Sequence, residues 1–197
     1  MGLSQITNTS FVDDVAKAVE VLRSGGIILY PTDTIWGIGC DATNAMAVKR
    51  IYEIKQRQDT KSMLVLMENP NLLNSYITEV PEIAWELIEV ADTPLTIIYP
   101  GAKNLAYNLL GQDGSIGIRI TNEAFTQQLI QRFRKPVVST SANISGQKSP
   151  LNFAEISGEI KKSVDYIVSF RQDDLSISDP SGIIKLGIGG QIEIIRK

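Results

Sequence analysis

The sequence predicts an α/β fold: a twisted, open sheet of mixed strand direction with helices on its faces and a concave ligand cleft. Short apolar runs of strand length alternate with segments whose apolar residues recur at helical spacing. Runs such as Gly26-Ile27-Ile28-Leu29-Tyr30 are apolar throughout, as strands covered on both faces are. The last two runs stand too close together for an intervening helix, so part of the pairing should be antiparallel.

Ser10 to Ser24 carries Phe11, Val15, Val19 and Leu22 on one helical face, with Ser10 as cap and Gly25-Gly26 as stop. The strand from Gly26 to Tyr30 follows and Pro31 ends it. Asn44 to Arg57 reads as a helix with Ala47, Val48, Ile51 and Ile54 on one face, and a basic loop leads to a strand from Met63 to Met67. A helix is expected from Pro81 to Val90, strands at Leu95 to Tyr99 and Ile116 to Ile120, and a helix from Asn122 to Phe133. Strands at Val137 to Ser139, Tyr166 to Ser169, Ser181 to Leu186 and Ile192 to Ile195 complete the set. No repeat, low-complexity tract or linker marks a boundary, so residues 1–197 are expected to form one domain.

Composition then excludes chemistry. With no histidine, the usual neutral-pH base, the Ser-His-Asp triad and the Cys-His pair are all out of reach. Cys40 is the only cysteine, so no intrachain disulfide or thiolate metal cluster can form, and no protein-held metal is expected. A net charge of −3 argues against a surface that grips nucleic acid throughout, although a local basic groove stays open. No apolar stretch approaches the ~20 residues of a membrane-spanning helix, and no basic-then-apolar leader opens the chain. A cytoplasmic protein with no membrane partner is the expectation.

Four stretches carry polar chemistry. Pro31-Thr32-Asp33-Thr34 follows a buried strand, where sheet crevices hold small polar ligands, but its composition also suits an ordinary turn. Gly37-Ile38-Gly39 matches the dinucleotide fingerprint loosely; no helix starts at the glycines, and the match is rejected. Lys55, Arg57 and Lys61 sit at a helix end and in the loop beyond, where they either face water or neutralise phosphate. Ser139 through Gly146 is rich in small polar residues after an apolar strand, which suits a phosphate-cradling loop better than a free surface loop. Ser115 and Arg119 fall on one sheet face by alternation, and a cation inside an apolar strand needs an anionic ligand or an ion-pair partner. The chain has no Walker P-loop.

Taken in order, Pro31 through Gly39, Ile54-Lys55-Gln56-Arg57 with Lys61, Pro94-Leu95-Thr96, Ser115 through Arg119, Ser139 through Gly146 and Pro180-Ser181 resemble the YrdC/TsaC family over nearly the whole chain. The resemblance implies a threonylcarbamoyl-AMP synthase that joins L-threonine, bicarbonate and ATP and releases pyrophosphate, for the threonylcarbamoyladenosine modification of tRNA. It implies that Arg57, Lys61, Ser115, Ser141, Ser149 and Arg196 contact ATP, and that Thr34, Arg119, Ser139 and Ser181, with Thr32 beside them, hold threonine. Lys55, Arg57, Ser141 and Asn143 form the implied catalytic set, and magnesium would bridge phosphate oxygens. The substrate supplies both nucleophiles, its amine and then its carbamate, which agrees with the absence of histidine. The cations after the second helix and the hydroxyl-rich run should therefore converge on one nucleotide cavity.

Ser62 and Thr121 replace prolines usual in the family, losses expected to loosen the loops that carry them, and Gly182 stands for a threonine and Thr93 for a glycine. The chain resembles the family's short form, for which downstream threonylcarbamoyl-transferase proteins are expected as partners. Two other functions fit less well: a non-catalytic domain binding double-stranded RNA, tRNA or ribosome through the same basic face, and a carbamoyl-phosphate-using relative.

Overall fold

A computed structural model describes residues 3–56 and 63–197, with side chains from residue 11 onward. Among the described residues nine strands form one sheet in the order β7-β1-β2-β6-β3-β5-β4-β8-β9. These are β1 Ile28–Tyr30, β2 Gly37–Gly39, β3 Leu64–Met67, β4 Leu95–Tyr99, β5 Ile116–Ile120, β6 Val137–Ser141, β7 Tyr166–Ile167, β8 Gly182–Leu186 and β9 Ile192–Arg196. Pairing is mixed: β1 with β7, β3 with β5 and β4 with β8 run parallel, and the other neighbours are antiparallel, including the C-terminal pair β8 and β9.

The helices are α1 Leu3–Arg23, α2 Ala45–Ile54, α3 Leu73–Tyr76, α4 Glu82–Val90, α5 Ala124–Phe133 and α6 Gly158–Ser163. Helix α1 starts seven residues before the expected cap at Ser10, because nothing from Leu3 to Thr9 is a Gly or Pro that would stop it. Asn44 caps α2 by accepting from the amides of Met46 and Ala47. Glu123 does the same for α5 at the Thr126 amide. None of the described helices is long and apolar enough to cross a membrane.

Each sheet face has its own core. Helices α1 and α5 press Val15, Leu22, Phe125 and Leu129 onto Ile28, Tyr30, Leu66 and Val137. On the other face α2 and α4 cover Leu29, Ile38, Val65, Ile97 and Ile118. The strand β2 lies outside the elements expected from sequence, since two of its three residues are glycine. Packing demands the second of them: a Cβ at Gly39 would stand 2.6 Å from both the Tyr30 ring and the Val138 carbonyl oxygen.

Candidate functional site

Strand registers bring one row of residues onto the face that α1 and α5 cover only in part. Gly37 pairs Ser141, Ser139 pairs Leu64, Leu66 pairs Arg119, Arg119 pairs Thr96, Thr96 pairs Ile183, and Ile183 pairs Arg196. Directly opposed residues share a face, so this row crosses the sheet from β2 to β9. Beyond the helices it opens into a cleft of about 400 Å³. Thr34, Arg119, Ser139, Ser141, Ser149, Ser181 and Arg196 line it together. Trp36, Leu151 and Ser178 also line the cleft; sequence reading did not assign them, and the coil positions of Leu151 and Ser178 carry no periodic signal.

Arg119 is 3% exposed. Its Nη2 lies 2.8 Å from Asp33 Oδ1, a charge contact without the alignment of a hydrogen bond. Its Nε is buried with no hydrogen-bond partner among the described residues. Burial lowers the Arg119 pKa, with Asp33 opposing, and raises that of Asp33, with Arg119 opposing. A buried guanidinium with an unanswered donor at a cleft is a ready partner for a carboxylate.

Beside it, Ser181 Oγ shares a 2.9 Å hydrogen bond with Thr96 Oγ1, and Arg196 Nε donates to the Ser181 carbonyl at 2.9 Å. On the other wall Thr32 Oγ1 donates to the Ile35 carbonyl at 2.7 Å and accepts from the Thr34 amide at 3.1 Å. Thr32 therefore folds the turn that presents Thr34 and does not itself line the large cleft.

Three other candidates stand apart from the cleft lining. Ser115 lies on the Arg119 face, but its hydroxyl donates to Asp113 Oδ1 at 2.6 Å in the turn before β5. Lys55 is 2% exposed, and its Nζ donates to the carbonyls of Ser141 at 2.5 Å and Asn143 at 2.7 Å. Asn143 Nδ2 donates to the carbonyls of Ile144 and Gln147. Two of these three, Lys55 and Asn143, thus shape the hydroxyl-rich segment from behind. Ser139 ends the expected strand, and Thr140 and Ser141 continue β6 where a loop was expected, since pairing with β2 satisfies their backbone. Arg57 and Lys61 lie outside the described residues. The end of α2 nevertheless meets the segment past Ser139: besides the Lys55 contacts, the Ser145 amide donates to the Lys55 carbonyl at 2.8 Å.

Comparison with known proteins gives a consistent picture. The Sua5/YciO/YrdC family model, described as "Telomere recombination", matches residues 20–197. A threonylcarbamoyl-AMP synthase of Pseudoalteromonas translucida is 36% identical over 157 residues, 78% of this chain and 84% of that protein. One from Klebsiella pneumoniae is 33% identical over 171 residues, 84% of this chain and 90% of that protein. Among solved structures, Escherichia coli YciO superposes with a TM-score of 0.80 at 27% identity, covering 93% of this chain and 88% of its own. Pyrococcus abyssi Sua5 complexed with L-threonine gives 0.78 at 25% identity over 87% of this chain, which spans 50% of that longer protein.

Proposed function

The chain belongs to the Sua5/YciO/YrdC family, and from that premise we propose that it is an L-threonylcarbamoyladenylate synthase, consuming L-threonine, bicarbonate and ATP and releasing pyrophosphate. The observation that carries the reading is Arg119: a buried cation whose Nε has no partner among the described residues, lining one cleft with the hydroxyl-bearing Thr34, Ser139 and Ser181. Its guanidinium would take the threonine carboxylate, and the hydroxyls the remaining polar groups of the amino acid.

In this assignment the nucleotide half of the cleft runs along Ser141, Ser149 and Arg196, and Arg57 and Lys61 are assigned to ATP by the family resemblance alone. Threonine's amine attacks bicarbonate to form a carbamate with loss of water. A carbamate oxygen then attacks the α-phosphorus, the α–β phosphoanhydride bond breaks, and pyrophosphate leaves. The chain's part is to align the two substrates and neutralise developing charge. Magnesium would come with ATP and supply charge neutralisation at its phosphates; among the described residues no group of three or more Asp, Glu, His or Cys side chains stands together to hold it. Transfer to tRNA by partner proteins is the downstream half of the same reading.

Purified protein supplied with ATP, magnesium and bicarbonate should release pyrophosphate only when L-threonine is added, and threonine-independent release or none at all would sink the proposal.

A further inference from the structure

Arg171 belongs to no motif considered so far, yet its backbone is the exception in its segment. Upstream the chain is held firmly: Asp14 accepts hydrogen bonds from the Ser169 amide and hydroxyl, the Phe170 amide and the Tyr166 hydroxyl. At Arg171 φ is 63°, the left-handed region that a residue with a side chain occupies only when its surroundings over-determine it. The guanidinium provides that constraint. Nε and Nη2 each lie 2.8 Å from Asp174 Oδ2, Nη1 donates to the Thr32 carbonyl at 3.3 Å, and Nη1 stands 3.9 Å from Glu123 Oε1.

These partners lead to opposite walls of the cleft. Thr32 folds the turn that presents Thr34. Glu123 accepts from the Thr126 hydroxyl, which also reaches the Pro31 carbonyl at 3.2 Å, so the same turn is gripped from α5. Asp174 accepts from the Ser176 amide at 2.9 Å and begins the irregular segment that carries Ser178, Pro180 and Ser181 to the other wall. Arg171 does not line the large cleft; it lines a small adjoining hollow with Thr32, Thr34 and Asp174.

We infer that Arg171 is a positioning residue for the amino-acid end of the cleft, clipping the Thr32–Thr34 turn to the 174–181 segment so that Thr34 and Ser181 face each other across Arg119. The inference rests on the reading that threonine binds there. Its planar fork matters, because one guanidinium must satisfy a carboxylate and a carbonyl at once.

Arg171→Gly removes the clip while suiting the left-handed backbone, so the fold itself is not put at risk. The variant should raise the KM for threonine about tenfold, with kcat and the KM for ATP within about twofold of the parent, because only the placement of one substrate is disturbed. Arg171→Lys, with charge but no fork, should fall between. A second readout is independent of turnover. Trp36 follows the clipped turn and is one of two tryptophans, so in a Trp85→Phe background its fluorescence reports that wall alone. Acrylamide quenching of Trp36 should at least roughly double in Arg171→Gly as the buried ring gains solvent access. Unchanged quenching overturns the inference whether or not the protein turns over. So does an unchanged threonine KM in an active enzyme, or loss of the cooperative thermal transition, which would make Arg171 a general structural residue. If the parent protein shows no threonine-dependent pyrophosphate release, the synthase reading fails, and the quenching result alone decides the role of Arg171.

Discussion

Lys55 and Arg119 are both buried cations, 2% and 3% exposed, and they differ in what answers their charge. Lys55 meets backbone carbonyls of Ser141 and Asn143, and the Ser145 amide returns a bond to its own carbonyl. The contacts are reciprocal, and they bind the end of α2 to the hydroxyl-rich segment. Arg119 meets one carboxylate in an imperfectly aligned ion pair and keeps a buried Nε with no partner among the described residues. A buried charge of the first kind builds a site from behind. One of the second kind faces the ligand, because its desolvation is fully offset only when another acceptor arrives.

The largest consequence falls on Arg119. Arg119→Met should lower kcat/KM for threonine by about a hundredfold or more, the loss typical when one partner of a buried charge pair is removed. It also leaves Asp33 buried without its counter-charge, so some of the effect would be instability. Adding Asp33→Asn separates the two: the double variant should recover the melting temperature of the parent without recovering turnover. Recovery of both would reduce Arg119 to a structural ion pair and erase the contrast with Lys55.

Lys55→Met tests the other side. Methionine matches the stem but offers no donor, so two buried carbonyls lose their partner at about 1–3 kcal/mol each at most. A fall of roughly 2–4 kcal/mol in urea unfolding is expected, with the KM for ATP rising more than that for threonine, because Ser141 belongs to the nucleotide half. Stability within about 0.5 kcal/mol of the parent would show that Lys55 does not hold the segment.

The sequence made much of this legible, unevenly and for physical reasons. Strands β4 and β5 could be bounded to the residue because each is a short run ending at a polar or turn residue. Strand β2 could not, because its Gly39 answers to Tyr30 and Val138, contacts made only once the sheet exists. At the cleft, local motifs pointed to Thr34, Arg119, Ser139 and Ser141, the family resemblance added Ser149, Ser181 and Arg196, and all seven line one cleft. What no local pattern contained was direction. Lys55 and Ser115 sit in the same motifs, yet one donates to carbonyls across the chain and the other to Asp113 two residues back. The pairing of Asp33 with Arg119 joins the ends of strands distant in sequence, and alternation within β5 could say only that Arg119 needs some anion.

The smallest expected effect concerns pH and follows from that pair. Burial raises the Asp33 carboxyl pKa despite the opposing pull of Arg119. The folded protein therefore holds this proton more tightly than the unfolded chain does. Its stabilising contribution is fully present below the usual carboxylate value of ~3.9 and is lost as pH rises through the higher folded value. Asp165 has the opposite sign: hydrogen bonding from Arg50 lowers its pKa, and its contribution fades as pH falls below ~3.9. Protonating Asp33 also frees Arg119 from its only ion-pair partner among the described residues, which should strengthen its hold on an incoming carboxylate. Calorimetric titration with L-threonine should therefore show affinity rising as pH falls from neutrality toward the Asp33 titration, measured over a range where neither group of the free amino acid titrates. In Asp33→Asn the profile should be flat and the affinity high throughout. A flat profile in the parent protein would mean that Arg119 binds threonine without releasing Asp33, and the two charges would then act as one fixed unit.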